Sequence, residues 1–344
     1  MDPSPDTPLR IATRKSPLAL WQAEHVRDRL GAEANGSPAE LVPMTTTGDR
    51  RLDRPLSTIG GKSLFVKELE RALVDGEADL AVHSMKDVSA ELPDGLAIRT
   101  VLGREDPHDA FVSNDHASLA SLPRGARVGT ASLRRRAQLL AHRPDLRIGP
   151  LRGNVNSRLA KLDAGEHDAI ILAAAGLERL GFEARIAERL DPEICLPAIG
   201  QGVIGIEVRA TDDALAARLA PLHHAPTALA LAAERELSRA LNGGCSAPLA
   251  GHARFVDGEL RLVGRVIAID GTRTLEAVET VRLPRPADDA PDDPASLEAA
   301  RALGTRAAER LFAEGAAALL EAAAEAVAAE GAALDAGDGN GRVC

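Results

Sequence analysis

The sequence is poor in aromatic residues and in lysine. Its 344 residues include no tyrosine, one tryptophan and five phenylalanines, yet 45% are hydrophobic. The chain can therefore bury large cores, but these are built from aliphatic side chains. A length of 344 residues exceeds one ordinary core and indicates two or three domains. The only lysines are Lys15, Lys62, Lys67, Lys86 and Lys161.

Cysteine is scarce, and long apolar runs are missing. Cys195, Cys245 and Cys344 form no CxxC pair, so neither a disulfide framework nor a zinc site is expected. The pair His223-His224 begins no metal-ligand spacing that the chain completes, and we expect no metal. No stretch approaches the apolar length of a membrane span, and the N-terminus does not read as a signal peptide. We therefore expect a cytoplasmic protein that does not bind membranes.

An excess of positive charge is also missing. The formal net charge is −10, whereas nucleic-acid-binding proteins normally show a basic surface with stacking aromatic residues. The composition therefore argues against a nucleic-acid partner. Local clusters such as Arg134–Arg136 have to be judged one at a time.

Strands alternate with helices over the first two thirds of the chain, which predicts α/β domains with parallel sheets. Helices are predicted from Pro17 to about Leu30 and over Lys62–Val74, and a strand over Ala78–His83. In such sheets ligands bind at the loops that follow the carboxyl ends of the strands. These loops are consequently the first places to search for a functional site.

The pattern changes near Pro226. A helix to about Leu241 is followed by three predicted antiparallel strands, whose Asp-Gly turns are good hairpin signals. After an acidic linker, Ser296–Glu330 is rich in alanine and predicts helix, with candidate breaks at Gly304 and Gly315. The last residues, 331–344, are predicted to be disordered.

Two glycine motifs fail as nucleotide-binding signatures. Gly61-Lys62-Ser63 lacks the earlier glycine of a P-loop, because position 56 is leucine. The segment 200–205 fits GxGxxG, but a strand rather than a helix is predicted to follow it. A glycine-rich crossover between domains is the better interpretation of this segment.

Arginine and hydroxyl residues gather at four turns where predicted strands pass into helices. Helix N-termini have free N–H groups and a partial positive charge, so such turns suit carboxylates or phosphates. For one turn, a capped helix with surface arginines is an equally good interpretation. Four turns together predict a cleft for a ligand with several carboxylates. The residues concerned are Arg14, Ser16, Thr130, Ser132, Arg134, Arg135, Arg152, Arg158 and Arg179.

Two further residues are candidates for chemistry. Lys86-Asp87 follows a predicted strand end, where a carboxylate can shuttle protons or stabilise a cation. From spacing alone, an exposed ion pair is the better interpretation. Cys245 lies on a glycine-flanked loop after a helix, although most single cysteines are small buried hydrophobic residues. Cys195, between Ile194 and Leu196, fits that buried description better.

Several long motifs, occurring in one order, resemble the porphobilinogen deaminase (hydroxymethylbilane synthase) family. The similarity covers roughly residues 9–283, so that chance is an insufficient explanation. The matching segments are Arg10–Ala23, Gly60–Leu69, His83–Asp87, Arg104–Pro107, Gly129–Arg135, Leu151–Arg158, Leu196–Gly202 and Gly243–Pro248.

The resemblance implies two periplasmic-binding-protein-like α/β domains plus a small α+β C-terminal domain with a three-stranded antiparallel sheet. The first domain would be discontinuous, with residues 8–102 and 203–222, and the second would occupy 106–196. The third domain, at 225–330, would carry the cofactor. The family also implies a monomer whose partner is the small molecule porphobilinogen.

The family's chemistry implies a role for each matched residue. Cys245 would hold a dipyrromethane cofactor, itself made from substrate, through a thioether. Asp87 would protonate the leaving amine, stabilise the cationic azafulvene and help remove the ring proton while four porphobilinogen units condense; water would then release hydroxymethylbilane. The loop at 45–63, with Lys62 and Phe65, would act as a lid. The groups implied in binding acetate and propionate are Arg14, Arg134, Arg135, Arg152, Arg158 and Arg179, assisted by Ser16, Lys86, Thr130 and Ser132.

Two other functions compete with this one. A non-enzymatic module of the same two-lobed fold could bind a carboxylate-rich solute, but it would need neither Asp87 nor Cys245. A nucleic-acid-binding regulator could use Arg134–Arg136, against which the acidic balance counts. Removal of the Asp87 carboxylate separates an enzyme from both, since only an enzyme loses turnover.

Overall fold

The computed structural model describes residues 8–33, 38–50, 65–242 and 247–338. In this part of the chain the strands form three separate sheets. The strands are β1 (Leu9–Arg14), β2 (Ala39–Met44), β3 (Leu80–Ser84), β4 (Leu96–Val101), β5 (Asp109–Val112), β6 (Arg127–Gly129), β7 (Arg147–Gly149), β8 (Ala169–Ala173), β9 (Glu188–Arg189), β10 (Ile204–Arg209), β11 (Leu249–Val256), β12 (Glu259–Ile267) and β13 (Thr274–Arg282). The helices are α1 (Pro17–Glu33), α2 (Thr47–Arg50), α3 (Lys67–Val74), α4 (Leu133–His142), α5 (Val155–Asp163), α6 (Ala174–Glu178), α7 (Asp213–Leu219), α8 (Ala225–Ala240), α9 (Pro294–Ala313) and α10 (Ala316–Asp338).

The first sheet has the strand order β2-β1-β3-β10-β4. Strand β1 runs parallel to β2 and β3, whereas β10 is antiparallel to both of its neighbours. Ile11, Ile206 and Val208 of the sheet pack in one core with Val26 and Leu30 of α1. Their aliphatic side chains leave water here, which is the main source of stability for this layer.

The second sheet repeats the arrangement, with the order β7-β6-β8-β5-β9. Strand β6 is parallel to β7 and β8, and β5 is antiparallel to β8. Phe111, Val128 and Ile171 of this sheet contact Leu139 of α4 in a buried cluster. All of its strands lie in the sequence between β4 and β10, both of which belong to the first sheet.

The third sheet is antiparallel, with the order β11-β12-β13. The hairpin between β11 and β12 turns at Asp257 and Gly258, whose φ angles of 50° and 80° are those of a two-residue hairpin turn. Leu237 of α8 and Leu311 of α9 pack with Leu262 of the sheet in one core. Two α/β sheets and one small antiparallel sheet confirm the predicted fold class.

Two predictions for the C-terminal region were wrong. Gly304 does not break the helix, because α9 passes through it without interruption. A Cβ at Gly304 would lie 2.4 Å from the carbonyl oxygen of Ala233, so glycine lets α9 cross α8 at close range. The expected break at Gly315 is confirmed, where φ is 101°. Residues 331–338, predicted to be disordered, belong to α10 because alanine-rich sequence favours helix.

The carboxylate of Asp109, fully buried at the start of β5, joins the second sheet to α4 and to the segment that follows β9. It accepts hydrogen bonds from Arg134 at 2.6 Å and from Arg135 at 2.7 Å. Cys195 Sγ at 3.1 Å and Gln201 Nε2 at 3.0 Å complete its partners. Burial alone would raise the pKa of Asp109, but the two guanidinium groups hold it well below its usual range.

Glu234 on α8 makes a second buried junction, this time with the third domain. Its carboxylate accepts hydrogen bonds from Arg104 at 2.8 Å, from the N–H of Gly200 at 2.8 Å and from the N–H of Ala253 at 2.7 Å. Burial opposes ionisation, yet the pKa of Glu234 is lowered because the charges of Arg104 and His252 outweigh it. The segment after β4, the crossover and β11 therefore meet at one side chain.

We expect Asp109→Asn to lower the free energy of unfolding by about 3–5 kcal/mol, because two buried guanidinium groups lose their counter-charge. Urea denaturation followed by circular dichroism measures the loss. The matched control is Asp163→Asn: Asp163 is half exposed and pairs with Arg185 at the surface, so that variant loses at most about 1 kcal/mol. Equal effects of the two substitutions would contradict the role assigned to Asp109.

Candidate active site

A polar cavity lies where β1 passes into α1 and β3 ends. Side chains from both turns line it, and the ring of Phe65 closes one side. The carboxyl ends of these two parallel strands meet at this edge of the first sheet, as the strand order requires. The lining residues are Arg14, Ser16, Leu18, Ala19, Gln22, Phe65, Val66, Val82, His83, Ser84 and Asp87.

On the β1 side, Arg14 and Ser16 occupy the turn that was predicted to bind anions. The guanidinium carbon of Arg14 lies 4.2 Å from the centre of the Phe65 ring, a cation–π distance. Ser16 Oγ accepts a weak hydrogen bond of 3.4 Å from the N–H of Ala19, in the first turn of α1. Phe65, expected in the lid, therefore contacts a predicted carboxylate-binding arginine.

On the β3 side, a single 3₁₀ turn, Met85–Asp87, carries the predicted catalytic carboxylate. The N–H of Met85 donates to the carbonyl of Val203 at 2.9 Å. Gly200 has a φ of 70°, and a Cβ there would lie 2.9 Å from Met85 Cβ and 3.1 Å from the N atom of Lys86. The glycine-rich crossover therefore packs against Met85 and Lys86, in the turn that carries Asp87.

Lys86 lies among charges of both signs. Burial lowers its pKa to about 8, with Arg135 and Arg134 adding to the effect and Asp87 and Asp109 opposing it. A carboxylate placed here would favour the charged ammonium. Because burial disfavours the charged form of Lys86, an anion bound beside it would be stabilised by the ammonium and would stabilise it in turn.

Arg158 shows that the arginines of separate turns converge. Burial lowers its pKa to about 10, and the charges of Arg135, Arg152 and Arg14 influence it along with the opposing charge of Asp87. Its Nε donates to the carbonyl of Gly153 at 2.7 Å, which holds the side chain against its own helix cap. Charged residues from three strand-to-helix turns and from the Asp87 turn therefore interact at one side chain, that of Arg158.

The charges of Arg134 and Arg135 act on Lys86, but both side chains already donate hydrogen bonds to other groups of the protein. Arg134 donates to Asp109 and to the carbonyl of Leu196, the latter at 2.6 Å. Arg135 donates to Asp109 and, at 2.9 Å, to the carbonyl of Ile171. Their principal partners belong to the protein, which the sequence did not indicate. Contact of these two side chains with a ligand remains a prediction.

The hydroxyl residues of the same turn serve the backbone. Ser132 is the N-cap of α4 and accepts from the N–H of Arg135 at 3.5 Å. Thr130 Oγ1 accepts from the N–H of Ser132 at 3.2 Å. These bonds still leave both hydroxyl protons as donors, so their predicted assistance in ligand binding is untested rather than excluded.

Arg179 is buried against the crossover between the domains. Its Nε donates to Glu105 at 2.7 Å and its Nη2 to the carbonyl of Gly202 at 2.9 Å. Its guanidinium carbon lies 5.7 Å from the centre of the Trp21 ring. Burial lowers the pKa of Arg179, while Glu105 opposes the shift. Its predicted role as a carboxylate ligand remains a prediction.

Cys245 and Lys62 lie outside the described residues, so the structure says nothing of their surroundings. Cys195 is described, and its thiol is fully buried beside Asp109. Burial and the Asp109 charge raise the pKa of Cys195 to about 12, so the thiol stays protonated and unreactive at neutral pH. This agrees with the interpretation of Cys195 as a structural residue.

The polar junctions that position the site were not found from the sequence. Asp109, Gln201 and Glu234 make no local motif, and their partners come from distant parts of the chain. One signal was present: Asp109 begins a short apolar run, and a charge at the edge of a buried strand needs a counter-charge. Its partner could not be identified without the fold.

Within the described residues, no group of three histidine, cysteine or acidic side chains is arranged to hold a metal ion. None of the helices in this part of the chain is long and apolar enough to cross a membrane.

Comparison with known proteins identifies the relatives of this chain. It is 55% identical over 312 residues to the porphobilinogen deaminase of Burkholderia orbicola, covering 91% of this chain and 90% of that protein. It is 54% identical over 314 residues to that of Paraburkholderia phymatum, covering 91% and 93%. Among solved structures, a double mutant of the Bordetella pertussis BvgS VFT2 domain shows 18% identity and a TM-score of 0.39, covering 62% and 85% of the two chains. That structural similarity is too weak to support an argument.

Two family models match consecutive parts of the chain. Residues 9–217 match "Porphobilinogen deaminase, dipyromethane cofactor binding domain". Residues 228–313 match "Porphobilinogen deaminase, C-terminal domain". Together they extend from β1 to the end of α9 and include every turn on which the site arginines lie. The predicted resemblance is thereby confirmed, and the chain belongs to the porphobilinogen deaminase family.

Proposed function

We propose that the protein is a transferase that condenses four porphobilinogen molecules head to tail, with loss of ammonia, and releases hydroxymethylbilane by hydrolysis. The observation that carries the proposal is the cavity lined by Arg14, Ser16 and Asp87, with the charges of Arg14 and Asp87 also acting on the buried Arg158. Each porphobilinogen brings one acetate and one propionate. A growing chain therefore needs several cations placed around a single proton-transferring group.

The site suits the dipyrromethane cofactor after which the matched family domain is named. A dipyrromethane made from substrate carries four carboxylates. Burial lowers the pKa values of Lys86 and Arg158, and neighbouring arginines add to the effect, so a bound carboxylate would stabilise both cations. When bound, this group supplies the nucleophilic pyrrole carbon on which the product is built. We propose Cys245 as its thioether attachment, supported by the position of this cysteine on a glycine-flanked segment directly after α8.

Asp87 is proposed as the proton-transferring residue. Its carboxyl group gives a proton to the departing amine and takes one from the pyrrole carbon after the new bond has formed, so it ends each cycle unchanged. Between these steps its negative charge stabilises the cationic substrate. Gly200 and Val203 of the crossover contact Met85 and Lys86 and so support the turn that carries this carboxylate.

Carboxylate binding is assigned to the cations around Asp87. Arg14, Arg152 and Arg158 are the first candidates, assisted by Ser16 and Lys86. Arg14 and Ser16 line the cavity with Asp87, and the charges of Arg14, Arg152 and Asp87 all act on Arg158. Arg134, Arg135 and Arg179 form the deeper basic wall, and with Thr130 and Ser132 they complete the proposed set. Lys62 and Phe65 are proposed for the lid, supported by the contact of Phe65 with Arg14.

The domain division proposed for this function is 8–102 with 203–222, 106–196 and 225–330. The position of β10 in the first sheet supports a discontinuous first domain. We also propose that the protein works as a cytoplasmic monomer on a small molecule, without nucleic acid or membrane. The acidic net charge of −10 supports the exclusion of nucleic acid.

The attachment of the cofactor is tested by intact mass. Purified wild type should exceed its polypeptide mass by two linked pyrrole units, and Cys245→Ser should lack this increment because the thioether cannot form. Cys344→Ser, which removes another cysteine, is the matched control and should keep the increment. A wild-type mass that stays bare after incubation with porphobilinogen would point to a non-enzymatic binding protein of the same fold.

Asp87→Ala should reduce turnover of porphobilinogen by at least about 100-fold, the usual contribution of a general acid–base. Ammonia release measures turnover, and equilibrium dialysis with porphobilinogen should show that binding is retained. Asp94→Ala, in the exposed loop before β4, removes a nearby carboxylate and should leave turnover unchanged. Full turnover in the Asp87 variant would refute the assignment.

The role of Lys86 predicts a pH dependence. Because its pKa is about 8 in the unliganded protein, Lys86 loses its charge as the pH rises through that value, and kcat/KM should fall with it. Lys86→Arg should retain kcat/KM to higher pH, since a guanidinium stays protonated. Identical alkaline limbs in the two proteins would show that another group controls this limb of the profile.

A further inference from the structure

The loop that follows Asp87 is held by the third domain. Arg235, on α8, donates from Nη2 to the carbonyl of Ser89 at 2.7 Å and to the carbonyl of Ala90 at 3.0 Å. These carbonyls are two and three residues beyond the proposed catalytic carboxylate. Charge-assisted bonds to two successive carbonyls fix the position of a loop more firmly than a single neutral bond.

The same guanidinium is linked by charge to the strand that precedes Asp87. Burial lowers the pKa of Arg235 to about 10, and the negative charge of Glu207 opposes this shift. Glu207 is fully buried on β10, and its Oε2 lies 2.9 Å from Nε2 of His83. His83 is the penultimate residue of β3 and lines the cavity together with Asp87. Arg235 therefore bonds to the loop that follows the Met85–Asp87 turn and also interacts by charge with Glu207, the partner of His83 before that turn.

The helix that carries Arg235 also leads to the proposed attachment cysteine. Helix α8 ends at Ala240, and Cys245 follows five residues later in the sequence. Glu234, the neighbour of Arg235, fixes α8 to Arg104 and Gly200. Arg235 is the residue of this helix that donates to the loop after Asp87.

We propose that Arg235 is a positioning residue that holds the loop after Asp87 against α8 and so keeps the Asp87 carboxylate in its reactive position. The inference rests on the proposed function, because it needs proton transfer by Asp87. Each condensation requires the reactive carbon to stand beside Asp87, and a displacement of about 1 Å can cost roughly 100-fold in rate. Arg235 does not touch substrate, so substrate binding should be independent of it.

The test uses Arg235→Gln in the full-length protein with its cofactor loaded, checked by intact mass. We expect kcat for porphobilinogen to fall by about 10- to 100-fold, while KM changes less than about twofold because the carboxylate-binding cations are intact. Arg239→Gln is the matched control. Arg239 lies one turn further along the same helix, is 53% exposed and pairs with Glu236, so kcat should be unchanged.

A second variant keeps the inference testable if Arg235→Gln does not fold. Arg235→Lys retains the charge but lacks the guanidinium fork, so kcat should lie between those of the wild type and the glutamine variant, again with KM unchanged. A loaded variant with wild-type kcat overturns the inference, as does a rise in KM without loss of kcat. Failure of the proposed function looks different, since the wild type itself would then neither carry the cofactor nor consume porphobilinogen.

Discussion

The structure depends on the burial of one carboxylate beside two guanidinium groups. Asp109 makes it possible for Arg134 and Arg135 to be buried at the first turn of α4, because it supplies the negative charge that both guanidinium groups need there. Two positive charges face one negative charge, so this junction retains a net positive charge. A protein of net charge −10 thus contains a local excess of positive charge at this junction.

The glycine-rich crossover between the α/β units links the buried Asp109 cluster to the Met85–Asp87 turn. Gln201 donates to Asp109, Gly200 donates to Glu234, and Gly200 also lies against Met85 and Lys86. One short segment therefore contacts the basic wall, the third domain and the Asp87 turn. The positive φ angles of Gly200 and Gly202 and their close contacts with Met85 and Glu105 explain why this segment is rich in glycine.

Local sequence was a good guide to the elements but not to their long-range polar contacts. The helix starting at Pro17, the Asp257-Gly258 turn and the strand before Met85 follow from capping, turn chemistry and apolar runs, all of which are local properties. Gly304 was misread because a glycine that breaks a helix and one that admits a neighbouring helix look the same in sequence. The distinction depends on α8, some 70 residues earlier.

The same limit applied to the site. The arginines that follow strands were predicted as one group, and in the structure Arg158 is influenced by the charges of Arg14, Arg135, Arg152 and Asp87. Their binding of a ligand stays a prediction. Which of them are occupied by protein partners could not be predicted, because Asp109 and Glu105 are distant in sequence from Arg134 and Arg179. The α/β pattern indicates where side chains emerge from a sheet, whereas buried ion pairs are decided by tertiary packing.

The order of strands in the first sheet has a consequence for synthesis of the chain. Strand β10 lies between β3 and β4, so this sheet is incomplete until residue 209 has left the ribosome. The second sheet needs only residues 109–189, which are contiguous and emerge earlier. Nascent chains are therefore expected to complete the second sheet first. Until β10 is synthesised, the edges of β3 and β4 that pair with it stay exposed, and such edges are binding sites for chaperones.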